Sequence, residues 1–181
     1  MKALSRFLNR IANWKTLLVF LVLYLLFPAY ILKNAEQRIN ELAGKTVGVI
    51  DLTFGFDPQR SLQMVADYGD QARAYYVNTE MTADVVYPVV YAFLFGLLLS
   101  LLYRNTQYKW VNTIPFVTML ADFGENINII MLLKNYPEQS ANVAAMLEVI
   151  KLFKWITFGV ILLLILAGLI MLLVNKVRKT G

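Results

Sequence analysis

The stretch Thr118-Met-Leu-Ala-Asp-Phe-Gly-Glu-Asn-Ile-Asn-Ile-Ile-Met131 puts Asp122, Glu125 and Asn126 inside an otherwise apolar segment, Trp110 to Leu133, long enough to cross a bilayer. Residues three and four apart share one face of a helix. The three polar side chains therefore project as a single acidic, amide-bearing patch. A charged side chain near the bilayer centre costs at least ~2.5 kcal/mol on insertion scales. The patch is thus expected to face protein or a polar cavity rather than lipid. Asn128 lies on a different face, where it would bond to a neighbouring helix or another subunit.

Three further segments read as spans, at about 14–32, 85–103 and 153–174, to join 110–133. The first is 19 residues long and covers about 28 Å as a helix, close to the ~30 Å hydrocarbon core. It follows Lys2, Arg6 and Arg10 as a signal sequence would, but is too long for a signal core and has no small-residue cleavage site after it. It reads as an uncleaved anchor, with Pro28 as a point of kinking. Tyr103, Tyr108, Trp110 and Trp155 stand near span ends, where aromatic belts form. The fourth span is nearly featureless and is expected to be the most lipid-exposed. Gly96 and Ser100 have the small-xxx-small spacing that allows close helix contact.

Orientation follows the basic residues. The first 15 residues carry Lys2, Arg6, Arg10 and Lys15 without an acid, the short connection carries Arg104 and Lys109, and the tail carries Lys176, Arg178 and Lys179. The segment 33–84 carries five basic and eight acidic residues. Both termini are therefore expected in the cytoplasm and 33–84 outside. The expected protein is all-α, a polytopic membrane four-helix bundle in one domain, with 33–84 as a small external helical lid. It would sit in a bacterial inner membrane, with membrane lipids as neighbours.

Within the lid, Gly44 ends an extension of the first span, and Asp57-Pro58 starts a helix with an acidic N-cap and proline at the first helical position. Gly69 ends that helix, and Asp70 would cap the next. Residues 46–56 fit a loop or a short hairpin. Asn135-Tyr136-Pro137 breaks the helix after span three, and Ser140 is the N-cap of the one leading into span four.

Composition narrows function by exclusion. Of 181 residues 59% are hydrophobic and 16% charged, far from a soluble domain. With no Cys and no His, the chain has no disulfide, no thiol redox chemistry, and no Cys or His nucleophile–base pair. Zinc and haem lose their usual ligands, so no metal and no cofactor is expected. The net charge of +5 does not point to nucleic acid, because the basic residues gather at span ends rather than on one soluble surface. No phosphate-binding loop, nucleophile elbow or dinucleotide fingerprint is present.

Several motifs remain: Asp70-Gln-Ala-Arg73-Ala-Tyr75, Asp84-Val-Val-Tyr87-Pro88-Val-Val-Tyr91, Ala121-Asp122-Phe-Gly-Glu125-Asn126 and Lys151-Leu-Phe-Lys154. Over about 57–155 this pattern resembles uncharacterised bacterial four-span membrane proteins. The resemblance implies a shared four-helix fold and carries no reaction.

Asp84, Tyr87 and Tyr91 stand at i, i+3 and i+7, one stripe of the second span. Lys154, at the start of span four, falls at the depth of Glu125 and Asn126. These residues, with Asp122 and with Arg73 reaching in from the lid, form the candidate ligand-binding set. Four readings are open: a structural ion pair of Lys154 with Glu125, a site for a lipid headgroup or small amphipathic ligand, acid–base catalysis, or a proton path. The leading expectation is a non-catalytic binding or accessory protein. The alternatives are an intramembrane lipid- or isoprenoid-modifying enzyme using Asp122 and Glu125, and an accessory subunit of a larger membrane complex or homo-oligomer.

Overall fold

The computed structural model describes residues 1–180; Gly181 and the side chains of Lys176, Arg178 and Lys179, used above for orientation, lie outside the described set. Among the described residues the regular structure is all helical, without a strand. Its helices are α1 (Lys2–Ile11), α2 (Trp14–Leu26), α3 (Leu32–Ala43), α4 (Pro58–Asp67), α5 (Gly69–Met81), α6 (Ala83–Leu102), α7 (Ile114–Lys134) and α8 (Ala141–Thr180). Four stretches are long and apolar enough to cross a membrane: Trp14–Ala43, Gly69–Leu102, Lys109–Lys134 and Ala141–Asn175. Each apolar segment thus lies inside a longer helix, because its flanking polar residues also favour helix and break only at capping or turn residues.

Those stops have identifiable causes. Asn13 caps α2, its side-chain oxygen accepting from the backbone N–H groups of Lys15 and Thr16 at 2.9 and 3.1 Å. Pro28 lacks an N–H, and α2 passes into α3 through one π-helical turn, Phe27–Ile31, instead of breaking. Gly44 ends α3 with a left-handed φ of 68°, a conformation that costs glycine little. Asp57 caps α4 by accepting from the N–H of Arg60 at 3.0 Å. Gly69, at φ 72°, opens α5, whereas Asp70 caps nothing and pairs with Arg73. Ser140 accepts from the N–H of Val143 at 3.3 Å at the start of α8.

In the bundle α7 packs between α6 and α8, and α2 lies on α6. The apolar parts of α2 and α8 are both largely exposed, and the first of them is the less buried, so the expectation that the fourth helix would be most exposed is corrected. Gly96 lies where an added Cβ would come within 3.1 Å of the Asn112 carbonyl. Ser100 accepts from the Asn112 side chain at 2.8 Å. That close contact joins α6 to the start of α7, and the amphipathic α1 completes it through the fully buried Leu8.

At the opposite end α3, α4 and α5 close over the tips of α7 and α8. Too short for its own core, this segment shares one: Ile39, Val65, Tyr68 and Tyr76 bury with Ile129 and Leu147. Residues 46–56 are a loop with a single 3₁₀ turn, Ile50–Leu52. Asn40 accepts from the N–H groups of Val47 and Gly48 at 2.8 and 3.0 Å, and Tyr68 donates to the Gly48 carbonyl at 3.0 Å. Burial, with Asp51 and Glu80 nearby, pushes the Tyr68 hydroxyl well above its ordinary pKa, so it stays a donor.

Candidate functional site

Where this cap meets the bundle there is a cavity of about 550 Å³. Its walls come from α2, α3, the 49–52 turn, α5, α6, α7 and α8. The helical stripe read from the sequence faces it: Asp84, Tyr87 and Tyr91 line one wall, Asp122 another and Lys154 a third. Two observations explain why these side chains converge. The Tyr91 hydroxyl donates to Asp122 Oδ2 at 2.7 Å, joining α6 to α7. Lys154 on α8 is ion-paired with Glu125 and lies 3.5 Å from Asp122. A single ammonium thus serves two carboxylates on adjacent turns of α7, which stand on one face by the three-residue spacing.

Glu125 and Asn126 stand behind this wall. Glu125 is fully buried, is not part of the lining, and is ion-paired with Lys154, which is. Asn126 donates to the backbone carbonyl of Asp84 at 2.7 Å and so holds the first turn of α6. Asn128 makes no hydrogen bond to a neighbouring helix of this chain among the described residues: it donates to the Gly124 carbonyl of its own helix at 2.7 Å.

Arg73 does not reach the cluster. It is buried on α5, donates to the Val65 carbonyl at 3.0 Å, pairs with Asp70 and lies 3.8 Å from the centre of the Tyr136 ring. The α4–α5 turn brings the Val65 carbonyl and Asp70 around its guanidinium, so the side chain is used up locally. Helix α4 contributes nothing to the cavity roof; the roof is the 49–52 turn with Tyr76 and Thr79 of α5.

The sequence reading missed several participants. Tyr24 and Trp155 supply aromatic walls, and Glu36 and Asp51 add carboxylates from the cap. Asp51 accepts from the Tyr76 hydroxyl at 3.0 Å. Tyr24 stacks on Tyr87 with ring centres 5.8 Å apart. Glu80, next to the lining Thr79, is 1% exposed, and both its carboxylate oxygens lack a partner. A second network was also missed. Lys151 Nζ donates to Glu148 at 2.7 Å and to Thr53 at 2.6 Å, while Ser61 donates to Glu148 at 2.7 Å. It ties the cap to α8. The i, i+3 spacing of Glu148 and Lys151 was its only trace in the sequence.

Among the described residues no group of three His, Cys, Asp or Glu converges as a metal site. The site is therefore an amphipathic void with a single buried ammonium, several carboxylates and aromatic walls. Fold and composition together define an all-α protein of the integral-membrane type. Comparison with known proteins gives no matching family model, no matching curated protein and no matching solved structure.

Proposed function

We propose that this chain is a non-catalytic membrane binding or accessory protein whose polar intramembrane site takes a lipid-like or small amphipathic ligand. The observation that carries the reading is the cavity itself. Ligand sites are typically voids of ~300–1,000 Å³ with apolar walls and a few convergent polar groups, and this void of about 550 Å³ has Tyr24, Tyr87 and Phe158 beside Asp84, Asp122 and Lys154. Direct packing of the six polar residues would have met the same electrostatic demand without leaving a space.

The rival enzyme, using Asp122 and Glu125 as an acid–base pair, has less support. Glu125 is fully buried and ion-paired with Lys154, so a substrate in the cavity would meet only Asp122. The accessory-subunit reading is supported by the exposed apolar faces of α2 and α8, which bilayer lipid would cover equally well. The basic residues near the termini and at 104–109 support cytoplasmic termini and an external cap, in a bacterial inner membrane.

The test is purification in mild detergent with native lipid, followed by native mass spectrometry. The wild-type chain should retain a near-stoichiometric amphiphile. Leu32→Trp, which adds bulk to the cavity wall from α3 without replacing a carboxylate, should lose it. A wild-type chain that retains nothing beyond detergent overturns the proposal.

A further inference from the structure

We infer that the ligand of this cavity is an organic ammonium with an apolar body, admitted sideways between α2–α3 and α8. The inference rests on the binding-site reading above and names its ligand class.

Glu36, Asp51, Asp84 and Asp122 line the cavity against only Lys33 and Lys154. Lys154 is already shared by Asp122 and Glu125. The Asp84 carboxylate faces the void and, among the described residues, accepts no hydrogen bond. Next to the lining Thr79, the buried Glu80 has two unpartnered oxygens. A cation bound in the void would supply the partner that the Asp84 carboxylate lacks and favour its ionised form.

The chemistry of the walls then selects the kind of cation. Among the described residues no group of three carboxylates converges to form a multi-carboxylate cage for a hard metal ion. Tyr24, Tyr87 and Trp155 instead line the same space, and the Trp155 ring already takes one ammonium, Lys154 Nζ, 5.6 Å from its centre. Aromatic faces attract ammonium groups, most strongly where water is excluded, and also accept an apolar body. A diffuse, hydrogen-bonding organic cation meets both demands.

The entrance follows from packing. Tyr24, Pro28 and Leu32 form one side of the cavity, Trp155 and Phe158 the other. No substantial contact joins α2 or α3 to α8. The void therefore opens between two apolar helices, where a chain attached to the headgroup would lie.

Trp155 provides the readout. Trp14 and Trp110 are exposed, and Trp14→Phe/Trp110→Phe leaves Trp155 as the only indole of the three in the chain. The full chain carrying these changes, in neutral micelles, is titrated with decylammonium, decanol and decanoate at pH 7. Decylammonium should shift Trp155 emission saturably, at least about tenfold more tightly than the other two, a difference of about 1.4 kcal/mol. Asp84→Asn should weaken it about tenfold; Asp51→Asn is the second variant if that chain does not fold. Decanol or decanoate binding as tightly overturns the cationic assignment while leaving an amphiphile site. A Trp155 signal that none of the three moves removes the site itself. Nanodiscs distinguish the source: weaker decylammonium binding in phosphatidylethanolamine than in phosphatidylglycerol discs identifies a lipid headgroup, and equal binding identifies a free amphipathic amine.

Discussion

Replacing Lys154 by Met removes the one cation that touches Glu125 and Asp122. Two unit charges about 4 Å apart attract by about 4 kcal/mol at an effective dielectric near ~20, and desolvation offsets much of this. The net value of the pair is therefore small, but breaking it from one side is costly, about 3–5 kcal/mol for a buried pair. The structure makes the two single changes unequal. After Lys154→Met, Asp122 keeps the Tyr91 hydroxyl at 2.7 Å, while Glu125, fully buried, keeps nothing. The full cost of about 3–5 kcal/mol is expected. After Glu125→Gln the ammonium still has Asp122 at 3.5 Å, so the loss should be smaller, about 1.5–3 kcal/mol, the range for a lost hydrogen bond to a charged group. The double variant retains no unpaired carboxylate at position 125 and should recover much of the Lys154→Met loss, with a coupling energy of at least ~1 kcal/mol. Equilibrium denaturation of the four chains in the same micelles, followed by circular dichroism, measures it. Additivity within ~0.5 kcal/mol, or a Glu125→Gln loss as large as that of Lys154→Met, would refute the shared-ammonium account.

Glu148→Gln should strip the buried Lys151 of its ion pair and cost about 3–5 kcal/mol, with faster proteolysis in 46–56 because Lys151, which holds Thr53, is no longer fixed by a carboxylate; unchanged proteolysis counts against the network. Gly168→Val should destabilise by about 1–3 kcal/mol through overpacking, since an added Cβ lies 2.9 Å from Leu102 and 3.1 Å from the Tyr103 ring; a stability equal to wild type would show that α6 and α8 do not meet there. Fusion reporters at Met1 and near Gln107 should read cytoplasm and one near Gly55 the outside, and an external signal from a reporter at Gly181 would exclude an even number of spans. Lys45 donates to Asp67 at 2.7 Å and holds that carboxyl below its ordinary range. Its contribution to stability is therefore present above the unfolded pKa of ~3.9 and lost as pH falls through the lower folded value. Lys45→Met should reduce that acid-side dependence, leaving the smaller part held by Gln63, which donates to the same carboxylate at 3.3 Å, and an unchanged acid limb of the denaturation profile would contradict it.

The all-helical fold was legible because two local signals agreed: unbroken apolar runs set the spans, and capping residues set the stops. Asp57, Gly44 and Ser140 act where their chemistry places them. Helix α1 was overlooked because its basic residues were read only as orientation signals, although Leu4, Leu8 and Ile11 form an apolar stripe that packs on α6. The loop 46–56 was undecidable locally, since its conformation is imposed by side chains from elsewhere: Asn40, Tyr68, Tyr76 and Lys151.

The site was half legible for the same reason. Helical spacing alone aligns Asp84 with Tyr87 and Tyr91, and Asp122 with Glu125, because those relations lie within one helix. Which of them meets open space depends on how α7 is turned between α6 and α8. There Lys154 settles the matter. Its side chain pairs with Glu125 and leaves Asp122 at the wall, so two acids of the same motif acquire different surroundings: one closed off, one accessible. Arg73 went astray because sequence separation hides the α4–α5 turn, which brings the Val65 carbonyl to its guanidinium. Glu36, Asp51 and Glu80 carried no intramembrane signal at all, lying in polar surroundings along the chain. Only folding of the cap over the bundle puts them beside Asp84, and that is also what leaves the cavity with more carboxylates than lysines.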